Sequence, residues 1–323
     1  MPAANVLVTG ASGFIGAHLV TRLLSEGSRV TALVRSSSSL PAEWRDRIRV
    51  VACDDFDERN LLRLLDRYGP FETVFHLAAY GVKPNDRNID EMLRINVGLS
   101  ATLVRLCIEW RARMVMAGTF SEYRSPSTRD PLSEESPLEQ RKLYGSSKAA
   151  GGLVVSAIAG SGGIGFRLLR LFKVYGADEA PHRLLPALVS GLAKHERVAI
   201  SAGTQVLDFV YIDDAVEAMV RADAHCREKG GIATWNVASG RAHSVREFAE
   251  QVAAAMNADA SLLGFGALAI RKDDEPWFVG SPDRLRSELS WQPSIGLEDG
   301  IRAAVAALRQ GGSCRSASIT MIA

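Results

Sequence analysis

Cysteine is scarce in this chain and poorly placed for chemistry. Cys53, Cys107, Cys226 and Cys314 lie far apart among 323 residues, with no C-x-x-C pair. That spacing gives neither a zinc ribbon nor a disulfide framework, and it fits a reducing, cytoplasmic setting. The six histidines are scattered too, so no metal site is read. An excess of charge of one sign is also missing. With 38 Lys+Arg against 37 Asp+Glu the net charge is +1, which gives no electrostatic basis for nucleic acid or an anionic membrane surface as partner. No apolar run reaches the roughly 20 residues of a bilayer span. The chain runs straight into NVLVTG with no charged-then-apolar signal segment.

What is present is an ordinary globular balance, 47% hydrophobic and 23% charged, in a length that suits one large α/β domain or two that share a core. Strand-like and helix-like runs alternate through the first half. Residues 5–9, 29–34, 47–53, 72–79, 112–118 and 164–171 read as six strands. FIGAHLVTRLLSEG, LLRLLDRYG, residues 90–110 and the small-residue stretch after YGSSK read as helices between them. The SSSS run at 36–39 reads as a loop. This alternation predicts a doubly wound parallel sheet, a Rossmann-type α/β fold with helices on both faces. Beyond residue 172 the pattern loosens into a smaller α/β lobe. DFVYIDDAVEAMVRA, a strand running into a helix, reads as a return to the main sheet. The expected division is 1–171 plus about 208–238 for the nucleotide domain, 172–207 plus 239–311 for the lobe, and 312–323 as a tail.

The first strand ends in TGASGFIG. Gly10, Gly13 and Gly16 stand at G-x-x-G-x-x-G spacing just before a helix. One glycine permits the tight turn, another removes the Cβ that would block a pyrophosphate, and the third lets the helix approach the strand. The helix N-terminus then presents amides and its positive dipole end to phosphate. Ser12, Phe14 and Ile15 belong to the same cradle. At the end of the second strand stand Arg35, Ser36 and Ser37, where a carboxylate is usual for binding a ribose 2′-hydroxyl. A guanidinium and hydroxyls attract a 2′-phosphate, so NADP(H) is the expected cofactor.

TGASGFIG, HLAA (76–79), INV (95–97), GTFSEY (118–123) and YGSSK (144–148) occur in the order found in extended short-chain dehydrogenases/reductases. LLRLFKVYG, DFVYIDD and LSWQP carry the resemblance into the second half. That family contains nucleotide-sugar epimerases, dehydratases and ketoreductases, which the chain resembles over nearly its whole length. The resemblance implies catalytic roles for Tyr144, Lys148 and Thr119, with Ser121 a nearby alternative to Thr119. Tyr144 and Lys148 sit one helical turn apart, so the ammonium is expected to favour the phenolate and lower the tyrosine pKa. By resemblance Lys148 also holds the nicotinamide ribose. Asp54 is placed at the adenine, Leu77, Ala78 and Ala79 beside the cofactor, and Asn96 among the cofactor residues as a support of the active-site helix. His76 reads as a packed strand-end residue.

The small lobe of the family holds a nucleoside diphosphate-sugar. The resemblance places Arg271 on its diphosphate, with Arg183 assisting. Tyr80, Ser121, Glu122 and Lys173 are further substrate candidates. Two positions depart from the family pattern: Lys173 stands where asparagine is usual before V-Y-G, and Leu207 where arginine precedes the aspartate of DFVY. Phe120 and Ser121 replace the Asp-Glu pair that sugar 4,6-dehydratases carry after the catalytic threonine, which disfavours that elimination. The implied activity is NADPH-dependent reduction of a nucleoside diphosphate-4-keto-6-deoxyhexose. A 4-epimerase with retained NAD is the alternative, and a non-catalytic NADP sensor is the alternative of another class. Helices 90–110 and 145–160 are those through which family members pair as homodimers, although their apolar faces could equally be buried within one chain.

Overall fold

The computed structural model describes residues 4–310 apart from 45, 55, 84–85 and 271–275. Seven strands form one parallel sheet. They are β1 (Asn5–Thr9), β2 (Arg29–Val34), β3 (Arg49–Ala52), β4 (Thr73–His76), β5 (Arg113–Thr119), β6 (Phe166–Leu171) and β7 (Ile232–Val237). Their order is β7-β6-β5-β4-β1-β2-β3. Every residue of NVLVT is buried, as a strand covered on both faces requires.

The helices used below are α1 (Phe14–Ser25), α2 (Glu58–Leu65), α3 (Ser100–Trp110), α4 (Leu143–Gly162), α5 (Leu184–Ala193) and α6 (Ile212–Lys229). Helices α1 and α6 cover one face through Leu19, Val20, Leu23, Ala215, Val216 and Met219. The other face is covered by α2, α3 and α4 through Leu61, Leu65, Leu103, Val104, Val155 and Ala159. The strand order switches from one side to the other between β1 and β4, which opens a crevice at their C-terminal ends, the usual ligand position in such sheets.

Two features differ from the sequence reading. DFVYIDD does not return to the main sheet. Phe209–Tyr211 pairs instead with Lys173–Tyr175 in a separate two-stranded ladder, and the return is made by β7, which runs along β6. A three-residue strand is too short to span the sheet, whereas IATWNV matches the six residues of β6 in full register. Residues 90–110 are not one regular helix either. A wide π turn over Leu93–Leu99 precedes α3.

The lobe is built from short ladders. Val206–Leu207 joins His243–Ser244 and Trp277–Phe278, and Val198–Ile200 joins Leu263–Phe265. Fully buried Asp208 ties this lobe together. Its carboxylate accepts from the Ser239 amide at 2.7 Å and hydroxyl at 2.6 Å, from the Gly240 amide at 2.9 Å and from the Gly280 amide at 3.2 Å.

Candidate active site

The glycine turn fits a dinucleotide on steric grounds. Gly10 has φ +71°, and a Cβ there would lie 2.7 Å from the Ala78 amide nitrogen. Only glycine allows both that backbone and that approach. At Gly16 a Cβ would fall 2.1 Å from the Gly10 carbonyl, so the third glycine seats α1 against the turn. The N-terminus of α1 carries no side-chain cap, and exposed Ser12 and Gly13 precede half-buried Phe14 and Ile15. A dinucleotide phosphate would meet these amides, and Leu77, Ala78 and Ala79 would wall the crevice beside it.

Behind this wall runs a directed hydrogen-bond chain. The Ala78 amide donates to Thr9 Oγ1 at 3.2 Å. Thr9 lies 2.7 Å from His76 Nδ1, and His76 Nε2 lies 2.9 Å from Ser100 Oγ, which donates to the Asn96 carbonyl at 2.9 Å. With the last donor fixed, each hydrogen is used once when His76 carries its proton on Nε2. Burial first, and the Lys148 charge second, push the His76 pKa down to about 3. His76 is therefore a neutral structural link.

Asn96 is fully buried, and its side chain is committed to the protein. It accepts from the Tyr80 amide at 2.9 Å and donates to the Tyr80 carbonyl at 3.0 Å and to Ser147 Oγ at 2.9 Å. Through these bonds Asn96 clamps α4 to the π turn. Tyr80 is fixed through its backbone by the same clamp.

Thr119 ends β5 and caps a short turn over Phe120–Glu122, its Oγ1 accepting from the Ser121 amide at 3.2 Å. Ser121 thus serves the turn through its amide, and its carbonyl faces Gly145, where a Cβ would be 2.0 Å away. Glycine at 145 is what lets α4 come close enough to set Tyr144 beside Thr119. Burial first, and the Glu122 charge second, push the Tyr144 pKa up to about 12, outweighing the Arg183 charge and a hydrogen bond to Thr119. The expected lowering by Lys148 is therefore corrected. Lys148 is buried and its Nζ donates to the Ala117 carbonyl at 2.8 Å, and burial holds its own pKa below the usual lysine value.

Glu122, expected at the substrate, is fully buried: Oε1 accepts from the Thr119 amide and Oε2 from Arg170, each at 2.9 Å. That substrate role is corrected, because both carboxylate oxygens face the protein. Arg170 itself was not singled out from the sequence. Its signal was a charge inside the apolar strand FRLLRL.

From the lobe, Arg183 precedes α5 and its charge reaches the Tyr144 phenol. Burial pushes up the Glu179 pKa, while Lys173 and Arg183 pull it down. The net direction is upward, with the charges of Lys173 and Arg183 opposing it, and Glu179 had not been anticipated. Arg271 lies outside the described residues. At the other end of the crevice Arg35 and Ser36 are exposed. The Ser36 amide donates to Asp54 Oδ1 at 3.0 Å, and Ser36 together with the Arg35 charge holds the Asp54 carboxyl below its usual pKa.

Residues 6–238 match the model of the NAD dependent epimerase/dehydratase family. The chain belongs to that family. It is 30% identical to a UDP-glucose 4-epimerase of Mycolicibacterium smegmatis, over 92% of this chain and 96% of the relative. It is 28% identical to a dTDP-6-deoxy-L-talose 4-dehydrogenase (NAD(P)(+)) of Kitasatospora kifunensis, over 93% and 94%. Among solved structures, MoeE5 in complex with UDP-glucuronic acid and NAD superposes with a TM-score of 0.83 at 30% identity, covering 95% of this chain and 100% of that one. Among the described residues, no helix is long and apolar enough to cross a membrane.

Proposed function

We propose that the chain reduces the ketone of a nucleoside diphosphate-4-keto-6-deoxyhexose, with NADPH as reductant. The observation that carries this reading is the convergence of Tyr144, Thr119 and Lys148 at the end of β5, next to the glycine turn. A bound nicotinamide would supply the hydride. Tyr144 donates the proton to the developing alkoxide, and Thr119 polarises the carbonyl oxygen through its hydroxyl. Lys148, held by the Ala117 carbonyl, fixes positive charge one turn below the phenol. Arg183 and Lys173 supply cations for the diphosphate or sugar.

Phe120 supports reduction over elimination. It packs against Phe172 and Phe278, with ring centroids 6.0 and 5.2 Å away, so an apolar cluster occupies the place of a dehydratase acid. Arg35 supports NADPH. The 4-epimerase reading with retained NAD is kept for one reason: Asp54 is bonded to Ser36, and its carboxylate would face a 2′-phosphate bound there. A homodimer paired through α3 and α4 belongs to the same proposal, supported by Leu153, 58% exposed on α4.

Incubation with NADPH and a nucleotide-activated 4-ketosugar should consume one NADPH per sugar reduced. Interconversion of nucleotide-sugar epimers with no external cofactor and no absorbance change would decide for the alternative. Binding titrations test the cofactor: Arg35→Asp should weaken NADPH far more than NADH, and an unchanged ratio would remove Arg35 from the site.

A further inference from the structure

Directly under Thr119 lies a buried ion pair. The Glu122 side chain is 0% exposed and that of Arg170 7%, with Arg170 Nε 2.9 Å from Glu122 Oε2. The other carboxylate oxygen receives the Thr119 amide. Arg170 goes on to the Tyr123 hydroxyl at 3.0 Å and the Glu134 carbonyl at 3.2 Å, and Tyr123 donates to Asn236 Oδ1 at 2.6 Å. A Cβ on residue 118 would stand 2.6 Å from Glu122 Oε1, so Gly118 makes room for the carboxylate. Apolar side chains of equal volume commonly stabilise such a place as well or better, and losing one partner strands the other. Stability alone therefore does not account for a charge pair here.

We propose that Glu122 and Arg170 are positioning residues of the reaction centre: the carboxylate fixes the Thr119 backbone and places negative charge beneath Tyr144 and Lys148, and the guanidinium sets how much of that charge they feel. The proposal rests on the reading of Thr119, Tyr144 and Lys148 as the reactive group. Its electrostatics agree, since Glu122 raises the pKa of both Tyr144 and Lys148. The other groups around them are His76 from β4, which stays neutral, and Arg183 from the lobe.

Lys148 reports on the pair without any turnover. Its titration is followed by NMR on protein labelled at the lysine side-chain carbons, with Lys148→Arg assigning the signal. Glu122→Gln removes the negative charge and should lower the Lys148 midpoint by about one pH unit. Arg170→Met unmasks that charge and should raise the midpoint by a similar amount. The double variant should return near the wild-type value. A merely structural pair would move both single variants in the same direction, or neither, and either result overturns the proposal. Should one single variant fail to fold, the sign of the other decides. Failure of the functional reading is seen separately, as absence of NADPH consumption by the wild-type protein.

Discussion

At the scale of single residues the chemistry narrows to one phenol. Tyr144→Phe removes a hydroxyl and little volume, so fold and dinucleotide binding should persist while turnover falls about 10²–10⁴-fold, measured by NADPH consumption. With its pKa pushed up to about 12, the phenol stays protonated through the neutral and mildly alkaline range. Ketone reduction by the wild type should therefore hold level up to about pH 9, and a decline beginning near pH 7 would show that another group donates the proton. His76 makes a different pH claim. Its folded pKa of about 3 lies below the unfolded value near 6.5. Below that unfolded value the unfolded chain takes up a proton that the folded chain refuses. The stability present above about pH 6.5 is therefore lost as pH falls toward 3, at up to about 1.4 kcal/mol per pH unit. Urea denaturation of wild type and His76→Asn at pH 7 and pH 5 should show this part of the slope only in the wild type. The glycines were legible from their spacing between strand and helix, and Tyr144 and Lys148 from the order of motifs that carries the family resemblance. The sequence could not show that Glu122 points inward, since a carboxylate beside a tyrosine has no readable direction until Arg170 is placed 48 residues on.

Among the elements, α4 shows why the helix that carries Tyr144 and Lys148 is rich in small residues. Gly145 and Gly151 lie where a Cβ would strike backbone, 2.0 Å from the Ser121 carbonyl and 2.1 Å from the Asn96 carbonyl. Neither carbonyl can swing aside as a side chain does. Gly151→Ala should therefore cost about 1–3 kcal/mol and displace the helix from its clamp. Gly160, exposed on the same helix, meets only the tip of Ile232 at 3.1 Å. Gly160→Ala should be neutral or gain up to about 1 kcal/mol from helix propensity. Thermal denaturation of the two variants checks the contrast, and equal shifts would contradict it. The strands of the first half were legible because short apolar runs, such as the fully buried NVLVT, alternate with amphipathic helices. β7 was not, because IATWNV carries two polar residues whose roles, such as the Asn236 bond to Tyr123, appear only after folding. The π turn at 93–99 was hidden as well, since its apolar spacing passes for an ordinary helix.

At the scale of the whole molecule, Asp208 is the polar knot that ties the lobe together. Truncating it to alanine removes the acceptor of four donors, of which the Gly280 amide is buried, and a buried donor left unpaired costs about 1–3 kcal/mol. Asp208→Ala should therefore unfold at markedly lower urea concentration, with hydrogen exchange rising first at Ser239, Gly240 and Gly280. Uniform acceleration across β1–β6 instead would mean that the knot serves the sheet rather than the lobe. The reach of Tyr123 to Asn236, 113 residues downstream, bears on how the protein is made. The glycine turn, β4 and the Tyr144 helix are all synthesised before the partners of the Thr119 loop exist. At about 5–20 residues per second, Arg170 follows within about a second or two and Asn236 several seconds after it. A nascent chain can thus close its glycine turn early, while the Thr119 loop is locked only when the seventh strand arrives.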